Sequence, residues 1–169
     1  LFSDQSQFTL DAEEVLSAKT VSINQTTEYE IDDGVKPIGL GQNIYFGISR
    51  GSFAGVREYY VNADTEIKDA LDTTVNLPRY ISGDLNGLKG SSSENTLFAF
   101  ASGERSSLFV YKYYFDANQK ALQRSWSKYV FDTNDVLLDG DCIQNFLYIS
   151  GVYSGTFCEC MYFIFSIFS

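Results

Sequence analysis

Three stretches of the chain open on asparagine and run into a short apolar strand: NIYFGIS from Asn43, NTLFAFAS from Asn95 and NFLYIS from Asn145. They stand 52 and 50 residues apart. Each leads through a small polar loop into a second, aromatic strand: FAGVREYYV, LFVYKYYFD and TFCECMYFIF. A fixed period of this length narrows the choice of fold, because each unit must be one supersecondary structure that buries its free face against the next. A second pair keeps the period. Residues 8–32 and 113–132 each run from a strand ending at an aspartate (Asp11, Asp116) through a polar turn into an alternating strand that ends near another (Asp32, Asp132).

The strand after Asn43 is apolar on both faces, with Tyr45 and Gly47 on one and Phe46 and Ile48 on the other. Strands buried on both sides lose the clean alternation of an exposed sheet. Later strands regain it, as where Ser125 and Ser127 alternate with Trp126 and Lys128. The residue palette agrees: 16% aromatic side chains, two prolines and one methionine suit pleated surfaces better than helices. The expected fold is all-β and antiparallel, a partial β-propeller-like array whose blades pack face to face. A sandwich shares several of these traits, and the period favours blades. The expected units are residues 1–34 (the end of a blade), 35–85, 86–134 and 135–169 (a partial blade). One short helical segment is expected where Ile67, Ala70 and Leu71 fall at helical spacing, followed by an extended edge segment that tolerates Pro78. The absence of an initial Met and the apolar run at the end read as a fragment cut at both ends, with no secretory signal and no apolar stretch of membrane-spanning length.

No chemistry-bearing motif assembles. The chain has no histidine, which removes Ser-His-Asp and Cys-His catalysis and His-ligated metal sites. Twenty-two acidic residues make chance proximity of two carboxylates expected, so a glycosidase pair is not indicated by numbers alone. Gly39, Gly41 and Gly47 lack the spacing and following helix of a dinucleotide fingerprint and read as turn and packing positions. Asp132, Asn134, Asp135, Asp139 and Asp141 lack the order of a calcium loop and its closing Glu, so a solvated acidic turn is the expected reading. Cys142, Cys158 and Cys160 are an odd set, poorly spaced for a disulfide or zinc, and are expected as buried free thiols. Asn24-Gln25-Thr26 is a formal glycosylation sequon without evidence of secretion. Trp126 is either a sugar-stacking platform or, the preferred reading, an anchor on a half-buried strand. No catalytic, cofactor or metal residue is therefore expected, and binding residues are not readable. The net charge of −10 disfavours gripping nucleic acid or anionic membranes and favours solubility.

The string DDGVKPIGLGQNIYFGISRGSFAGVREYYV (Asp32 to Val61), then DALDTTVNLPRYI (Asp69 to Ile81), resembles the tail tubular protein B, or tail nozzle, family of short-tailed T7-like bacteriophages. The opening LFSDQSQFTL and the strand SWSKYVF share the likeness, which covers most of residues 1–150. Asn76 stands where some members carry His, and the aromatic, cysteine-bearing end beyond Ile149 departs from the pattern. The resemblance implies a non-enzymatic virion protein, made in the bacterial host cytoplasm and built into a hexameric tail ring. Its implied partners are adaptor and tail proteins, tail fibres, and double-stranded DNA that passes without specific binding. No cofactor or small-molecule substrate is implied. A propeller module binding a host glycan or protein is the first alternative, and a propeller glycosidase the second.

Overall fold

The computed structural model describes residues 1–12, 20–62, 65, 67–116, 121–143, 146–153 and 156–164, with only the backbone described at 11, 12, 121 and 156–164. Every strand pairing is antiparallel, and the described residues contain no helix. The first sheet is a two-stranded hairpin of β1 (Gln7–Ala12) and β2 (Val21–Thr27). The second is ordered β3 (Ile38–Leu40), β4 (Asn43–Ser49), β5 (Phe53–Val61), β6 (Lys68–Asp72), with β7 (Ile81–Ser82) also on β5. The third runs β8 (Leu85–Ser91), β9 (Thr96–Ala101), β10 (Ser107–Phe115), β11 (Ala121–Val130). The fourth is β12 (Val136–Ile143), β13 (Phe146–Tyr153), β14 (Thr156–Ile164).

Burial follows each strand's place in this stack. β9 lies between two neighbours and under a layer on each face, and all six of its residues are buried. Its sequence TLFAFA carries the continuous apolar run that such a position requires. β11 is an edge strand, exposed from Leu122 to Ser125. The second and third sheets face one another through Tyr45, Val56, Ile81, Leu88, Leu97, Phe109 and their neighbours. The opposite face of the second sheet, with Phe46, Ile48 and Tyr59, is covered by Phe2, Tyr29 and Ile31. The opposite face of the third, with Phe98, Phe100, Leu108 and Val110, packs on Leu137, Leu147 and Ile149 of the fourth. Each fully buried large apolar side chain in these layers contributes roughly 1.5–3 kcal/mol by leaving water.

Two positions show why small residues interrupt the pattern. A Cβ on Gly47 would lie 2.7 Å from Leu85 Cδ1, so glycine is what lets β4 approach β8. Asn95 has φ of 48°, the left-handed conformation that Asn tolerates, at the turn into β9. Asn43 is instead the first residue of β4, and Asn145 lies outside the described residues.

The expected helix is not formed. Ile67, Ala70 and Leu71 lead into and through β6, which pairs with β5 from Arg57↔Asp72 to Val61↔Lys68. Ala70 is buried while Asp69 and Leu71 are exposed, an alternation of period two. The helical spacing is incidental: the unpaired N–H and C=O groups along β5 need a partner strand, and tertiary pairing overrides the local pattern. β6 and β7 share that side of β5, and the excursion between them carries Thr73, Thr74, Pro78 and Tyr80.

Candidate functional site

The densest polar constellation lies between the second and third sheets. Glu58 shares the inward face of β5 with Ala54 and Val56, and is fully buried. A lone carboxylate there would carry a desolvation cost of several kcal/mol, so its partners decide whether the site is tenable. Its Oε1 accepts hydrogen bonds from Asn43 Nδ2 at 2.7 Å and Tyr45 Oη at 2.9 Å. Its Oε2 accepts one from Arg124 Nη2 at 2.7 Å, which is also the ion pair. Arg124 belongs to β11, so this pair joins two sheets. The guanidinium also lies over the Phe115 ring, 5.4 Å from its centroid.

Tyr45, Tyr111 and Tyr113 surround the carboxylate and contact one another edge-on or tilted, with centroids 5.6–6.1 Å apart. Burial first, and the negative charge of Glu58 second, push all three phenols above their ordinary value, Tyr113 to about 12. Tyr45 therefore stays protonated and serves as a permanent donor. The set is closed to solvent: Glu58 is fully buried, and donors and an opposite charge engage both of its carboxylate oxygens.

Two further attachments follow along the same face of β11. Trp126 stacks on Tyr111, with centroids 5.1 Å apart, and its Nε1 donates to Thr73 O at 3.1 Å. Thr73 is held in place by a knot in which Arg50 pairs with Asp72 and donates to Thr74 Oγ1 at 3.2 Å. Asp72 Oδ1 in turn accepts from the backbone and hydroxyl of Thr74, both at 2.8 Å. A Cβ on Gly55 would come 2.6 Å from that Thr74 hydroxyl, so the knot requires glycine beneath it. Lys128 then donates to Glu104 at 2.7 Å, with its ammonium 5.8 Å from the centroid of Tyr80, which precedes β7.

The junction of the third and fourth sheets is built differently. Behind its apolar layer, Lys89 and Asp139 pair at 3.5 Å with side chains 30% and 60% exposed. An open cleft of about 290 Å³ lies beside this pair, lined also by Asp141, Tyr148 and Ser150. A smaller one of about 140 Å³ adjoins it, with Lys36 and Asn86.

The other residues singled out by sequence are dispersed. Asp132 Oδ1 accepts from Asn134 N and Nδ2 at 3.0 and 2.9 Å, making a turn, and Asp141 accepts from Cys142 N at 2.9 Å. Among the described residues no group of three or more His, Cys, Asp or Glu could hold a metal ion. Gly41, with φ of 65°, turns the chain between β3 and β4. Cys142 is a half-buried free thiol that burial pushes up to about 11. The side chains of Cys158 and Cys160 lie outside the described residues. Asn24 is exposed on β2. Trp126 is half-buried in the inter-sheet layer, an anchor rather than an open platform. Sequence reasoning missed Glu58 and Arg124. Their signal was present: a charge at an inward position of each strand's alternation.

Comparison with known proteins shows the family. A family model described as bacteriophage nozzle protein matches residues 1–162. Tail tubular protein gp12 of Escherichia phage T7 is 34% identical over 150 residues, 88% of this chain and 19% of that relative. The chain thus spans about a fifth of the length of the relative it matches.

Proposed function

The chain belongs to the bacteriophage nozzle protein family, and from that premise we propose that it is a structural segment of a phage tail, part of the conduit through which DNA leaves the particle. The observation that carries the reading is the closed Glu58–Arg124 constellation. The most elaborate polar site among the described residues joins sheet to sheet and has no open position for a substrate. This is the chemistry of a scaffold. This reading makes the segment non-enzymatic, in keeping with Glu58 and Asp72, whose carboxylates are engaged by arginines and hydrogen-bond donors. Measurable turnover on a glycoside panel, abolished by carboxylate-to-amide substitution, would overturn that statement.

We further propose that the units 35–85, 86–134 and 135–169 are successive propeller-like blades, with 1–34 the end of a preceding one. Three features support this. Each of the three spans corresponds to one antiparallel sheet, starting at Ile38, at Leu85 (one residue before the second boundary) and at Val136. Successive sheets stack face to face. A backbone tie also recurs: Gly83 N donates to Ser52 O at 2.9 Å, and Leu137 N to Arg105 O at 2.8 Å, donor and acceptor both advancing by just over fifty residues. In the whole protein the blades would sit in a hexameric ring, with adaptor proteins and tail fibres as neighbours. The net charge of −10 suits a wall that DNA passes without adhering. Electron microscopy of the full-length protein tests this directly. Six-fold rings containing blades about a local axis are expected, and a monomer or an unrelated sandwich domain would refute it.

A further inference from the structure

We propose that β1 is an inner strand of its sheet: in the full-length polypeptide the segment that leads into Leu1 runs antiparallel to β1 along its second side. This rests on the blade reading and adds which strand completes the first sheet, in what direction and in what register. Among the described strands β1 has one neighbour, β2. Its other side is already engaged at one end. Leu1 N donates to Phe8 O at 2.7 Å and Phe8 N to Leu1 O at 2.8 Å, the reciprocal pair of an antiparallel ladder. Phe2 forms a bridge with Gln7 beside it, and Ser3 N closes the connecting turn by donating to Ser6 O at 2.9 Å.

The third sheet shows the completed arrangement. There β10 pairs with β11 on one side and with β9 on the other, and the sequence period sets β1 and β2 against β10 and β11. The chain leaving each of these sheets is pinned to the loop before the matching strand. Ile31 N donates to Asp4 O at 2.9 Å, as Leu137 N does to Arg105 O at 2.8 Å. Leu1 and Phe2 therefore stand where β9 ends. β9 has six residues, of which Leu1 and Phe2 supply the counterparts of two, so about four more come from the segment ahead of Leu1.

The pleat sets the faces of that strand. Phe2 packs on Phe46 and Tyr59 of the second sheet, with centroids 5.3 and 5.7 Å apart, and Thr9 Oγ1 accepts from Lys68 Nζ of β6 at 3.3 Å. The residue immediately before Leu1 falls opposite Thr9 and faces the second sheet. The one before that falls opposite Leu10, on the face where Leu10 and Ile23 are 41% and 60% exposed. Because Phe8 bonds to Leu1, alternation turns the N–H groups of Leu10 and Ala12 to the same side, and those of Thr9 and Asp11 to β2. An open edge flanked by exposed apolar side chains is a template for unwanted association, which a strand of the same chain removes.

Hydrogen exchange at single-residue resolution on the full-length protein reads the edge. Protection of the Leu10 and Ala12 amides should lie within about tenfold of that at Thr9 and Asp11. A wider gap leaves β1 an edge strand and overturns the proposal. The identity of the covering strand is read by a disulfide. Leu10→Cys, with a second cysteine two residues before Leu1, should close an intramolecular bridge on mild oxidation. Directly opposite Cα atoms of a hydrogen-bonded pair lie about 5.5 Å apart, within disulfide reach. A cysteine one residue before Leu1 points to the other face and should not bridge, and equal yield from both positions would overturn the register. Protected amides without the bridge, or with bridges between copies alone, would show that a second copy or a distant strand fills the place, and would also overturn it. Six-fold rings beside an unprotected Leu10 amide sink the strand and spare the scaffold reading. The bridge in a protein that forms no ring upholds the strand and refutes the ring alone.

Discussion

The two sides of the third sheet teach different lessons about how stacked sheets are joined. On the side facing β4 and β5, an apolar layer is threaded by a buried carboxylate bonded to Tyr45 and Arg124 and by a tryptophan N–H bonded to Thr73 O, beside Tyr113 and a Tyr111 hydroxyl that is buried without a hydrogen-bond partner. On the side facing β12 and β13, Phe98, Phe100, Leu108 and Val110 meet Leu137, Leu147 and Ile149, and the ion pair beside that layer, Lys89–Asp139, is solvent-exposed. Both faces bury apolar surface, so both contribute cohesion. The difference lies in specificity. Apolar layers accept many relative placements of two sheets, whereas Glu58 is tenable only where Asn43, Tyr45 and Arg124 all reach it.

This contrast can be broken most sharply at Glu58. Arg124→Leu leaves the fully buried Glu58 carboxylate without its counter-charge, and should cost about 3–5 kcal/mol in equilibrium urea unfolding. Replacing both residues with Leu should restore much of that loss while loosening the fit of the two sheets, read as broadened side-chain resonances. A stable single variant would show that Glu58 is accommodated without Arg124 and that the lock is weak.

Alkaline pH acts on the same face. The folded pKa of Tyr113 is raised to about 12 from the ordinary 10.0. The unfolded chain then releases its phenol proton first, so folding stability is fully present below pH 10 and is lost as pH rises from about 10 to about 12. Tyr45 and Tyr111 shift in the same direction and add to the loss. Tyr113→Phe should flatten the stability profile above pH 10. An unchanged profile would remove the tyrosines from the account of this interface.

The smallest effect is expected on the other side. Lys89→Ala removes one member of an exposed pair and should change stability by less than about 0.5 kcal/mol, falling further in salt. A larger loss would mean that the two junctions are not as unlike as their chemistry indicates.

The sequence reveals these features unevenly, for physical reasons. The two-faced apolar strands after Asn43 and Asn95 are legible because central strands in a stack of sheets need apolar residues at consecutive positions, as Phe46 and Gly47 show. β6 is illegible because Lys68–Asp72 is too short for a period to declare itself, and its state is set by the open edge of β5. The Glu58–Arg124 pair is half legible. Each charge visibly interrupts an inward register, but 66 residues separate them and nothing local says that they meet. That no His-based catalytic set can form is legible from the missing histidine, while the enclosure of Glu58 by Asn43, Tyr45 and Arg124 needs the fold.

The most direct test of a scaffold locked through its second and third sheets is a double-mutant cycle on Glu58 and Arg124, read by equilibrium unfolding. A coupling energy of about 2–3 kcal/mol is predicted, far above that of Lys89 with Asp139. A coupling below about 0.5 kcal/mol, no greater than that of the exposed pair, would contradict it.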